Sequence, residues 1–142
     1  MLFRTALPLV ALLVVVGCEN GVTGPTGGGV LHVTKDCTGY TGQAGSSCAI
    51  TASTLVDIAV GSRIVYATAV GPTLLDSDVV LTPAGQTANS ANGHCLLNLA
   101  TSVGRCTFSG GTGRFASFQA DFDVSRLTGR QWALDGTYRY GR

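Results

Sequence analysis

The sequence predicts an all-β domain, an eight-stranded antiparallel β-barrel, with a two-sheet β-sandwich as the alternative. Three observations carry this. Charged residues make up only 12% of the chain and hydrophobic ones 45%, which argues for a packed core rather than disorder. The 20 glycines, set among β-branched residues and threonine, favour strands and tight turns over helices. No long run shows a 3.6-residue period, whereas several alternate with period two.

Eight apolar-rich runs read as strands: Val30–Asp36, Cys48–Ser53, Ser62–Val70, Thr73–Thr82, His94–Thr101, Val103–Ser109, Arg114–Arg126 and Arg130–Tyr140. The breaks carry turn chemistry: Gly61, Gly71-Pro72, Pro83-Ala84-Gly85, Asn92-Gly93, the glycines of 110–113 and Thr128-Gly129. The last two runs alternate most cleanly. Phe118, Ala120, Phe122 and Val124 point one way, and Ser117, Gln119, Asp121 and Asp123 the other. Trp132, Leu134, Tyr138 and Tyr140 share a face, opposite Gln131, Asp135, Thr137 and Arg139. Such alternation means one dry and one wet face. Eight consecutive antiparallel strands on short turns can close into a barrel, which leaves no free edge.

The first residues follow a different pattern. Arg4 is the only charge in the first seventeen, and Ala6 to Val16 is apolar, broken in helical potential only at Pro8. This is a charged n-region and a short h-region, well below the roughly 20 residues of a spanning helix. It ends in Val15-Val16-Gly17-Cys18, which resembles the lipobox of bacterial lipoproteins. The resemblance implies a diacylglycerol thioether on Cys18, cleavage before it, and often a further acyl chain such as palmitate on its amine. Several acyl chains anchor firmly, since each buried methylene contributes about 0.8 kcal/mol. Glu19, where an Asp would imply retention at the inner membrane, favours the outer membrane of a Gram-negative cell. The chain is therefore expected to comprise a signal peptide (1–17), a lipidated cysteine with a flexible glycine-rich tether (18–29) and a barrel domain (30–142). A lipid anchor also makes a membrane-spanning barrel redundant.

The five cysteines support the same division. Assigning Cys18 to lipid leaves four in an exported, oxidising setting. Of three connectivities the simplest is Cys37–Cys48 and Cys95–Cys106, each pair 11 residues apart. Closing such a loop is worth roughly 3 kcal/mol in the chain-entropy model. Zinc sites usually pair cysteines two to four residues apart, and none here are so placed. Neither a metal, another cofactor nor a catalytic thiol is expected.

Ser109 to Phe115 reads SGGTGRF. A phosphate loop would need Lys-Ser or Lys-Thr after the last glycine, or a following helix; Arg114-Phe115 and a strand follow instead. The plain expectation is a hairpin connection whose glycines adopt positive φ. The same residues, Gly110, Gly111, Gly113, Arg114 and Phe115 around Thr112, resemble the GGTG-[KR]-F signature of dirigent proteins and the allene oxide cyclase-like barrels. Asp135-Gly136-Thr137-Tyr138 also fits bacterial members. The resemblance covers about the last third of the chain. It implies an eight-stranded barrel with a central apolar cavity, a homo-oligomer as in the commonly trimeric plant members, and chemistry by confinement; no catalytic residue of that group matches a position here.

Cutting before Cys18 removes Arg4 and leaves a neutral chain without a basic run, so nucleic-acid binding is not expected. Tyr66, Trp132, Tyr138 and Tyr140 are the candidate lining of a cavity for a small apolar ligand, or simply its filling. Asp76 and Asp78 share a face and read as an exposed strand face. His94 reads as a turn or strand-end residue without a catalytic constellation. The leading expectation is a non-enzymatic, lipid-anchored barrel of the cell envelope that binds a small apolar ligand or an envelope component. A cyclase- or dirigent-type enzyme and a purely structural surface protein are the alternatives, and a buried ionisable residue in the cavity would favour the enzyme. The cysteine assignment predicts no titratable free thiol in the mature protein. Two or more thiols under denaturing conditions would overturn it.

Overall fold

The computed structural model describes residues 26–141, so Cys18 and the predicted signal peptide lie outside the described residues. Eight strands form one closed antiparallel barrel in chain order: β1 Gly27–Asp36, β2 Ser47–Ser53, β3 Arg63–Tyr66, β4 Leu74–Thr82, β5 Ser90–Asn98, β6 Val103–Thr112, β7 Phe118–Thr128 and β8 Gln131–Tyr140. β8 closes the ring by pairing with β1 from Gly27↔Tyr140 to Asp36↔Gln131. The barrel, not the sandwich, is therefore the architecture.

Period-two alternation decides which side chains point inward. Leu31 and Val33 of β1, Leu75, Val79 and Leu81 of β4, and Phe118, Ala120, Phe122 and Val124 of β7 are buried, while Asp76, Asp78 and Asp123 between them are exposed. The middle of the barrel is filled. Val33, Ile50, Ile58, Ile64, Leu81, Phe108, Phe122 and Leu134 surround a void of only about 10 Å3. Phe108 and Phe122 meet there edge to face at 6.0 Å.

Four sequence expectations need correction. Asn92-Gly93 is not a turn: both lie inside β5, at a register shift opposite Phe108. A Cβ on Gly93 would come within 2.5 Å of the Thr107 carbonyl oxygen, so glycine here permits close strand approach. The β4–β5 connection instead spans 83–89. The run expected from Arg114 begins as a strand only at Phe118, because Gly113–Phe115 is a single 3-10 turn that drives Phe115 into the core. His94 stands mid-strand, not at a strand end. Finally, Gly27–Gly29 is strand rather than tether: it pairs with Tyr138–Tyr140, and the Tyr138 ring covers Gly29, lying 3.7 Å from where a Cβ would sit.

The two ends of the barrel differ. At the end where β1 begins and β8 finishes, Ile58, Phe115, Phe118 and Tyr140 are buried as a plug. Phe115 meets the Phe118 ring at 5.1 Å and the Tyr140 ring at 6.3 Å. Asp57 ties the plug together: it accepts the Tyr140 hydroxyl at 2.8 Å and pairs with Arg114 at 2.9 Å. The opposite end is open.

Candidate functional site

The open end is built from the β1–β2, β3–β4, β5–β6 and β7–β8 connections. They surround a pocket of about 330 Å3 that reaches down to the filled midsection. That volume lies at the lower end of the range of small-molecule sites. Leu75, Leu97, Leu99, Val70 and Trp132 form apolar walls, the Cys37–Cys48 disulfide lies against one side, and Tyr40, Arg126 and Arg130 stand among the lining residues from the connections and strand ends.

Lys35 and Tyr66 contribute the polar groups within. Lys35 is the only lysine of the chain. It occupies the inward phase of β1 after Leu31 and Val33, and is 1% exposed. Its Nζ is hydrogen-bonded to the Tyr66 hydroxyl, its one polar partner among the described residues. Tyr66 is equally buried, and the edge of the Tyr40 ring packs on it at 5.2 Å. The Tyr40 hydroxyl is buried and has no hydrogen-bond partner among the described residues. No Asp, Glu or His lines the pocket.

Electrostatics follow from this burial. Removing an ammonium from water without a counter-charge disfavours its charged form, and the Lys35 amine is held down to about 7. Burial pushes the Tyr66 phenol up, so it remains a neutral O–H. A part-neutral amine beside a phenol can act as a base or as a nucleophile, roles that a solvated lysine at neutral pH fills poorly. At the rim both guanidiniums are occupied. Arg126 lies 4.9 Å from the Trp132 ring centroid, and Arg130 donates to the backbone oxygens of Cys37, Thr38 and Tyr40.

Of the four aromatic candidates from the sequence, Tyr66 and Trp132 line this pocket. Tyr138 and Tyr140 do not: they pack on Phe118 at the plugged end, where β8 has run the length of the barrel. The cysteines are joined as Cys37–Cys48 and Cys95–Cys106, and the second pair is wholly buried between β5 and β6. Gly110 and Gly113 take φ of +77° and +56°, and a Cβ on Gly111 would come within 1.9 Å of the Ser90 carbonyl oxygen. The glycine motif thus shapes the turn that delivers Arg114 and Phe115 to the plug. Asp76 and Asp78 face solvent and flank His94, whose two ring nitrogens lie 2.8 and 2.9 Å from them. The Asp78 hydrogen bond, with Asp76 beside it, raises the His94 pKa.

Lys35 is the buried pocket residue that pattern reading missed. The signal was available: a lysine in the dry phase of an alternating run, in a chain with no other lysine. No known family, curated protein or solved structure matches this chain.

Burial of Lys35 predicts a pH dependence of stability. The folded amine loses its proton near pH 7, the unfolded one only near about 10.4. Between these values the unfolded chain binds more protons, so stability rises with pH; below pH 7 the full burial penalty applies. From pH 7 to 9 the expected gain is about 2 kcal/mol. His94 acts in the opposite sense, since a raised folded pKa contributes stability at low pH that is lost as pH rises. Urea unfolding at the two pH values should show the gain in the wild type and not in Lys35→Met. Equal gains in both would place its origin outside Lys35.

Proposed function

We propose that this chain is a lipid-anchored β-barrel of the bacterial cell envelope that takes a small, largely apolar ligand into the open end of its barrel. The observation that carries the ligand is the pocket itself. The barrel is filled through its middle and plugged at one end, yet at the other it leaves about 330 Å3 between apolar walls with a single buried amine–phenol pair. A purely structural barrel has no need for that space or for the desolvation of Lys35.

The anchor rests on the likeness of Val15-Val16-Gly17-Cys18 to a lipobox after an apolar run. With lipid on Cys18 the protein would sit at the envelope, on the outer membrane in a Gram-negative cell by the Glu19 rule. β1 starts at the plugged end, so the pocket would open away from the point of attachment. The likeness to dirigent and allene oxide cyclase-like barrels belongs to the same reading, as a kinship of architecture and of small-molecule confinement. An enzyme is the second reading, favoured by one observation: an ionisable group with a displaced pKa at the base of a cleft.

Native mass spectrometry of the full chain purified from its own host tests the ligand. A retained small molecule, released on denaturation, is expected; a chain of bare mass counts against binding. Cys18→Ala is expected to move the protein from the membrane to the soluble fraction, and a variant that stays with the membrane would remove the lipid anchor.

A further inference from the structure

We propose that Lys35 is a carbonyl-capturing amine, condensing reversibly with an apolar aldehyde held in the pocket. This rests on the ligand-binding reading above. In the step, the Lys35 Nζ lone pair forms a C–N bond to the carbonyl carbon while the C=O π bond breaks. The oxygen takes up a proton as the nitrogen loses one, giving a carbinolamine. Its C–O bond then breaks, the hydroxyl leaves as water with a proton relayed through the Tyr66 hydroxyl, and an imine remains. Amine and aldehyde become imine and water, with no oxidant or reductant.

Three observations carry this. First, eight of the nine basic residues are arginine, and the single lysine is the one buried in the pocket. Arginine cannot deliver a neutral nitrogen at neutral pH and lysine can. Second, burial without a counter-charge keeps a large share of the amine neutral at pH 7. Its hydrogen-bond partner is the Tyr66 hydroxyl, Tyr40, Arg126 and Arg130 stand among the other lining residues, and no carboxylate or imidazole lines the pocket to stabilise an ammonium. At about 7 its neutral fraction at pH 7 is roughly a thousandfold that of a solvated lysine. Third, the only hydrogen-bond partner of Nζ among the described residues is a phenol, a group able to give a proton to a departing hydroxyl and take it back. An apolar side chain would fill the same volume without the cost of burying an amine, so the amine marks a chemical use of this position.

The test uses the full chain in detergent micelles at pH 7, with octanal and sodium cyanoborohydride to trap the imine as a secondary amine. Peptide mass spectrometry is expected to find one octyl group on Lys35, added at least tenfold faster in the folded protein than in the same chain unfolded in urea. Tyr66→Phe is expected to slow capture about tenfold, and octan-1-ol binding to the wild type is read from the single tryptophan, Trp132. Capture no faster in the folded state, or confined to the chain's α-amine, overturns the proposal. If octan-1-ol binds and octanal is not captured, this proposal fails and the ligand-binding reading stands; if neither binds, both fail. Octanoate binding far tighter than octan-1-ol, without octanal capture, would make Lys35 an anion partner instead and equally overturn the proposal.

Discussion

Closure of eight strands into a ring is the constraint on which everything else in this molecule depends. A barrel of this size has an interior only wide enough for its own side chains or for one small ligand. Every inward position must therefore be filled, emptied or chemically justified. The midsection is filled, by eight apolar side chains around an almost vanished void. One end is sealed by a plug that the glycine turn at 110–113 delivers. At the other end no such plug covers the strand ends, and the interior opens as a pocket.

Closure also explains why a charged residue type came to be buried. An inward position on a closed sheet has no route to solvent through the wall, and the Lys35 amine, near the open end of β1, turns inward onto the Tyr66 hydroxyl. The alternative to solvation is neutrality, assisted by one phenol. Replacing an unpaired buried amine with an apolar group tends to stabilise a fold, because the desolvation penalty disappears. Here it is retained in an apolar-walled pocket, beside the Tyr66 hydroxyl. The Cys37–Cys48 disulfide, which fixes the β1–β2 connection next to this pocket, holds the Lys35 backbone and the Tyr40 loop in one piece.

The two disulfides and the Asp57 cluster act on different links of the same chain of cause. The bridges constrain neighbouring strands of the ring, an effect exerted mainly on the unfolded chain. Asp57, Arg114 and Tyr140 instead join the β2–β3 connection, the 3-10 turn and the last strand, and keep the plug seated. The ends of the barrel thus serve separate purposes: one completes the core, the other leaves room.

By itself the sequence determined the all-β class, the strand count and the dry and wet faces of β7 and β8, and it favoured the barrel and the sequence-adjacent cysteine pairs that closure of β8 on β1 and the two bridges bear out. Those properties follow from local alternation, turn residues and short spacing, all of which are written along the chain. It misplaced features that depend on register. Asn92-Gly93 carries the chemistry of a turn, but its neighbours needed a glycine inside a strand where Thr107 comes close. Tyr138 and Tyr140 share an inward phase with Trp132, yet phase says nothing of height, and they lie at the plugged end. Only the tertiary structure decided which inward residues meet. Lys35 and Tyr66 stand 31 positions apart on strands that do not pair with each other, and Trp132 joins them across the closing β8–β1 seam. A pocket is a property of what surrounds a point in space, and in a closed barrel those surroundings come from every strand at once.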